Sequence, residues 1–122
     1  MAEGDGSLLM NPAGLIAVGA ARRLPLVHLV LDDGVYDSTG GQRCAGGSVD
    51  PTEWARDCGY NDVSTVTDVE QLSRFLDEKP FSHSWPVFVR CLVTREADPP
   101  PRVTHDLADI SASITAFMAS AP

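Results

Sequence analysis

From Ser7 to Arg23 the chain is almost continuously apolar or small, with Leu8, Leu9, Met10, Ala13, Leu15, Ile16, Ala17, Val18, Ala20 and Ala21 ahead of Arg22-Arg23. A segment apolar on every side predicts one buried helix, with Pro12 in its first turn and Pro25 ending it. Gly14 and Gly19 would let it press closely against a sheet. Leu26 to Leu31 is a short continuous apolar run between Pro25 and Asp32-Asp33-Gly34, the pattern of a central parallel strand. Asp32 to Val49 carries five glycines and many small polar residues. It predicts a loop longer than most, and such loops are usually functional.

Asp50-Pro51-Thr52-Glu53 offers an N-cap, a proline at the first helical position and a capping-box glutamate. A short helix is expected to about Cys58, with Gly59 as its stop. Val63 to Thr67 reads as a second strand. Asp68 caps a further helix in which Val69, Leu72, Phe75 and Leu76 share one face, closed by Lys79-Pro80. Pro86 to Val93 is the third strand, Pro99 to Pro101 a stiff connector, and a last helix runs from about Asp106 to Met118. In that helix Leu107, Ile110, Ile114, Phe117 and Met118 fall at helical spacing. The alternation of helices and strands predicts an α/β fold, a doubly wound parallel sheet with helices on both faces. No repeat or linker divides it, so residues 1–122 are read as a single domain.

A length of 122 residues suits one ordinary core. The longest apolar run falls short of the roughly 20 residues that cross a bilayer, so no membrane span is expected. Nine basic and 17 acidic residues give a net charge of −8. With the basic residues scattered, nucleic acid is not an expected partner. Cys44, Cys58 and Cys91 form no CxxC pair and cannot all be paired, which favours a reducing cytoplasm over a disulfide framework or zinc site. No charged-then-apolar leader opens the chain, so mature residues are expected to begin near Met1.

The chemistry concentrates in two places. Gly4-Asp5-Gly6-Ser7 stands before the first helix, where backbone N–H groups can hold a phosphate. Asp33 follows just past a buried strand and could share a magnesium ion with Asp5, since Mg2+ takes a few protein oxygens plus those of a phosphate. Several other residues carry blander readings. His28, inside an apolar run, reads as a hydrogen-bonded core histidine. Tyr36 reads equally as substrate-facing or as docked on the core. His83 and Trp85 read as a surface loop, and Cys44 has no neighbour that would lower its pKa.

Gly4-Asp5-Gly6-Ser7-Leu8-Leu9-Met10, together with Leu31-Asp32-Asp33-Gly34-Val35-Tyr36-Asp37-Ser38-Thr39-Gly40-Gly41-Gln42, resembles the cofactor-binding half of thiamine diphosphate (TPP) enzymes. The DSTGGQ run is the more specific part, and is similar to phosphonopyruvate decarboxylases and their sulfopyruvate relatives. The resemblance implies that Asp5 and Asp33 ligate Mg2+ through side chains and Val35 through its carbonyl. It implies that Gly4, Gly6, Ser7 and Tyr36 help hold the cofactor, and that Asp37, Ser38 and Thr39 lie near a 2-keto acid substrate.

Three departures from the pattern change the expectation. Position 33 is Asp where the family usually has Asn, which adds a negative charge beside the diphosphate. Three residues precede Gly4 where a strand of about five is expected, so the first strand is expected to be truncated and missing from the sheet. The glutamate that activates the aminopyrimidine belongs to the family's other, pyrimidine-binding domain. The implied partner is therefore a pyrimidine-domain chain or a second copy of a longer homologue, in an oligomer. A silent remnant or interaction subunit, and the cofactor-binding subunit of a sulfopyruvate decarboxylase, stay open as alternatives.

Overall fold

The computed structural model describes residues 1–78, 85–94 and 103–120. The Lys79-Pro80 helix stop, His83 and the Pro99 to Pro101 connector lie outside these residues. Four parallel strands form the sheet: β1 (Ala2–Gly4), β2 (Val27–Asp32), β5 (Asp62–Val66) and β6 (Val87–Leu92), ordered β1-β2-β6-β5. Between β2 and β5 a small antiparallel hairpin, β3 (Val35–Tyr36) and β4 (Gln42–Arg43), folds over one end.

The first strand is present, contrary to the expectation from sequence. Ala2, Glu3 and Gly4 pair in register with Leu29, Val30 and Leu31, and the Leu29 N–H donates to the Met1 carbonyl at 2.9 Å. Ala-Glu-Gly has no hydrophobic pattern to betray a strand. What fixes it is backbone pairing plus one side-chain contact, Glu3 to His28. Because β1 is an edge strand, its shortness leaves β2 and β6 paired along their whole length.

The apolar segment after Gly4 also differs from expectation. It is two helices, α1 (Asp5–Met10) and α2 (Ala13–Ala20), because the ring of Pro12 cannot sit in a continuous helix interior. Nor is it buried all round: Leu8 and Leu15 are in the core, while Met10 and Ile16 are exposed. Helix α3 (Pro51–Cys58) matches its sequence signals closely. The Asp50 carboxylate accepts from the Thr52 N–H at 2.8 Å, and Gly59 at φ 103° ends the helix. Glu53, read as a capping-box partner, pairs with Arg56 one turn on.

Two cores follow from the alternation of strand side chains. On one face Leu8, Leu15, Val30, Ala55, Tyr60 and Phe88 join α1, α2 and α3 to the sheet. On the other, Val66, Val87, Val89 and Cys91 receive Leu72 and Phe75 of α4 (Val69–Glu78). The side changes because the chain runs outward from β1 to β5 and then steps back to β6, and right-handed crossovers put the returning helix on the opposite face. Of the four-residue face expected on α4, Val69 is 76% exposed and Leu76 is at the surface. The last helix, α5 (Leu107–Ser120), buries none of its side chains, so its apolar positions are not core.

His28 is a satisfied core histidine. Its Nδ1 lies 2.9 Å from the Tyr60 hydroxyl and its Nε2 2.7 Å from Glu3. A neutral ring fits both, donating from Nε2 to the carboxylate and accepting at Nδ1 from Tyr60. Burial pushes the Tyr60 hydroxyl up to about 12, which keeps it a donor. Burial also lowers the His28 pKa, outweighing the opposing hydrogen bond and charge of Glu3.

A Cβ on Gly19 would stand 1.8 Å from the Cys58 carbonyl oxygen, so α2 and α3 must part to admit it. Gly19→Ala is expected to cost roughly 2–3 kcal/mol by denaturant titration; a loss under about 0.5 kcal/mol contradicts the close contact. For His28, the unfolded chain takes up its proton near the ordinary value of 6.5, while the folded chain resists until lower pH. Stability present above that value is therefore lost on acidification. The denaturation midpoint should fall between about pH 7.5 and about pH 5.5, and His28→Gln should flatten that fall.

Candidate functional site

The carboxyl ends of β1, β2 and β6 open into one cleft of about 550 Å3, where ligands of parallel α/β sheets characteristically bind. Gly4, Asp5, Gly6 and Ser7 line it from the β1–α1 turn, and Asp33, Val35, Tyr36, Asp37, Ser38 and Thr39 from the loop after β2. The structure thus brings together all ten residues singled out in the sequence. Leu31, Val93 and Met10 complete the lining as an apolar wall. Leu31 and Val93 were not singled out; the signal for them was their place at the exits of neighbouring strands.

Asp5 is the unusual member. Its side chain is 4% exposed, and Oδ2 is buried with no hydrogen-bond partner. Burial raises its pKa; the Cys44 thiol and the Gly6 N–H oppose this, and the Asp32 and Asp33 carboxylates add to it. A buried carboxylate oxygen without a partner costs free energy unless a cation or donor arrives. Cys44, on the loop, sits against this carboxylate, and burial plus the neighbouring Asp5 hold its thiol up at about 11. It is a buried thiol beneath the cleft rather than a nucleophile.

Asp33 and Asp32 are adjacent but differently used. Asp33 turns to the cleft, its Oδ1 accepting from the Val35 N–H at 3.1 Å, which directs the backbone of the following turn. Asp32 points away into an ion pair with Arg90 at 2.6 Å. Among the described residues no group of three or more His, Cys, Asp or Glu side chains is arranged to hold a metal alone. Two cleft carboxylates could instead contribute to a Mg2+ site completed by phosphate oxygens, and the orphaned Asp5 oxygen fits that role.

The loop is better ordered than its composition suggests. After β3, Asp37–Thr39 forms a 3₁₀ turn that Gly40, at φ 121°, carries back into β4. The Thr39 hydroxyl lies 3.1 Å from Gln42 Oε1, and Gln42 Nε2 donates to the Thr39 carbonyl at 3.0 Å. Thr39 and Gln42 therefore brace the turn that presents Ser38 and Asp37. Tyr36 resolves into both readings at once: it lines the cleft, and its ring lies where a Cβ on Gly6 would stand, 2.6 Å from Cδ1. Glycine at position 6 is thus a packing requirement.

A match to the family described as thiamine pyrophosphate enzyme, C-terminal TPP binding domain, covers residues 1–91. Over 71 residues the chain is 51% identical to a phosphonopyruvate decarboxylase of Streptomyces viridochromogenes, across 58% of this chain and 18% of that protein. It is 39% identical over 69 residues to a sulfopyruvate decarboxylase of Methanosarcina acetivorans, again across 18% of that protein. With the sulfopyruvate decarboxylase subunit beta of Methanocaldococcus jannaschii it shares 32% identity across 67% of this chain and 41% of that subunit. The match thus spans about a fifth of the first two proteins and two fifths of the third.

The Tyr36–Gly6 contact generates a prediction. Gly6→Ala must displace the ring, and with it the β3 end of the loop, so it should cost roughly 1–3 kcal/mol of stability and expose Tyr36. Unchanged stability together with unchanged tyrosine fluorescence quenching would contradict the contact.

Proposed function

Because the chain belongs to the thiamine pyrophosphate enzymes as a C-terminal TPP-binding domain, we propose that it is the thiamine diphosphate- and Mg2+-binding half of a 2-keto acid decarboxylase. The substrate in this reading is phosphonopyruvate, converted to phosphonoacetaldehyde and CO2. The observation that carries it is the buried, unpartnered Asp5 oxygen in a cleft shared with Asp33. The 51% identity to a phosphonopyruvate decarboxylase supports the choice of substrate.

In this reading Asp5 and Asp33 ligate Mg2+ with their side chains and Val35 with its carbonyl. Gly6 and Ser7 offer backbone and hydroxyl donors to the diphosphate, and Tyr36 keeps the two halves of the site in contact through Gly6. When bound, thiamine diphosphate supplies the carbanion stabilisation that lets a 2-keto acid lose CO2. Asp37, Ser38 and Thr39, on the braced turn, lie beside the substrate, where hydroxyls and backbone amides meet its carboxylate or phosphonate.

The partner in this reading is a pyrimidine-binding domain that carries the activating glutamate, on a separate chain or elsewhere in a longer one. A relative named as a subunit beta favours a separate chain, and with it sulfopyruvate as the alternative substrate. Exposed apolar residues support association: Ile16 on α2, and Leu107, Phe117 and Met118 on α5, are each more than 60% exposed. No helix among the described residues is long and apolar enough to cross a membrane, and Cys44, Cys58 and Cys91 are free, as a reducing cytoplasm allows.

Calorimetric titration with thiamine diphosphate tests this reading. Binding should require Mg2+ and weaken about a hundred-fold in Asp5→Ala, the factor for losing a buried charge-assisted contact. Asp33→Asn, which removes one negative charge beside the diphosphate, should bind the cofactor more tightly. Metal-independent binding, or binding indifferent to Asp5→Ala, overturns the assignment; equal or weaker binding by Asp33→Asn overturns the charge argument.

A further inference from the structure

The loop from Asp33 to Val49 carries six of the cleft's lining residues, and both of its ends are tied to one side chain. Arg90 projects from the middle of β6, paired in register with Val30 of β2 and Thr65 of β5. Its Nε donates to Asp32 Oδ2 at 2.6 Å, its Nη2 reaches the same oxygen at 2.6 Å, and its Nη1 lies 3.6 Å from Asp50 Oδ1. Asp32 is the last residue of β2, directly before the loop. Asp50 is the residue directly after it and the N-cap of α3.

We propose that Arg90 is a positioning residue that clamps the two ends of the 33–49 loop together and so holds Asp33 and Val35 opposite Asp5. The guanidinium suits the task because its fork addresses two carboxylates in fixed directions from a rigid central strand, which an ammonium cannot do. Fixing both ends of a 17-residue segment removes much of the freedom that five glycines would otherwise give it. The consequence for the cofactor rests on the function proposed above; the clamp itself does not.

Arg43, the last residue of β4, is the single Lys or Arg inside the loop and is exposed, so trypsin reports on the loop directly. Cutting after position 90, in the central strand, reports global unfolding in the same reaction. Arg90→Lys keeps that second site and the positive charge but loses the fork. Asp50→Asn keeps a side-chain oxygen for the Thr52 N–H and loses only the charge facing Arg90. Both are expected to raise cutting after Arg43, relative to cutting after position 90, by about ten-fold in the free chain. Both should also weaken Mg2+-dependent thiamine diphosphate binding by a similar factor. An unchanged ratio in both variants overturns the clamp, whatever the cofactor does. A raised ratio with unchanged cofactor affinity overturns its role in holding the site. A native chain that fails to bind thiamine diphosphate fails the proposed function, while the cutting ratio still decides the clamp.

Discussion

A carboxylate oxygen buried without a partner is expensive, and Asp5 keeps one at the point where β1 turns into α1. The surrounding structure is arranged to hold it there. Three backbone pairs align β1 with β2, Glu3 adds a contact to His28, and Gly6 leaves room for the Tyr36 ring. Cys44 closes under the carboxylate from the loop side. Such an arrangement carries a cost that a bound cation would relieve.

The sheet sets what can reach that oxygen. Parallel strands expose all their carboxyl ends on one side, so the exits of β1, β2 and β6 converge on a single cleft. β2 is the pivot: its inward positions His28 and Val30 belong to the core, and its last residue begins the loop. Of the two aspartates there, the strand alternation sends Asp32 to Arg90 and leaves Asp33 to the cleft. A dipeptide of identical residues is thereby divided into a structural anchor and a candidate ligand.

Much of this was legible in the chain. Continuous apolar runs located β2 and β6, and Asp50-Pro51 with Gly59 bounded α3, because those signals act through local backbone chemistry. The ten cleft residues were legible from two short motifs, since each motif is contiguous and lies at a strand end. Features that depend on distant partners were not. Ala2–Gly4 becomes a strand through pairing with β2, so no pattern within it announces the fact. Pro12 suits the first turn of one long helix when read locally, yet it separates two helices. The apolar spacing of α5 implied a core face, yet that face is exposed, because periodicity shows which residues share a side and not what covers it.

The central claim is that Asp5 and Asp33 hold one divalent ion jointly with a diphosphate. Mn2+ in place of Mg2+ would broaden backbone amide signals near the ion by paramagnetic relaxation. With thiamine diphosphate present, the account predicts broadening centred on residues 5–7 and 33–36, and far less of it with the metal alone. Broadening spread over the acidic surface, or the same pattern with and without the diphosphate, would contradict it.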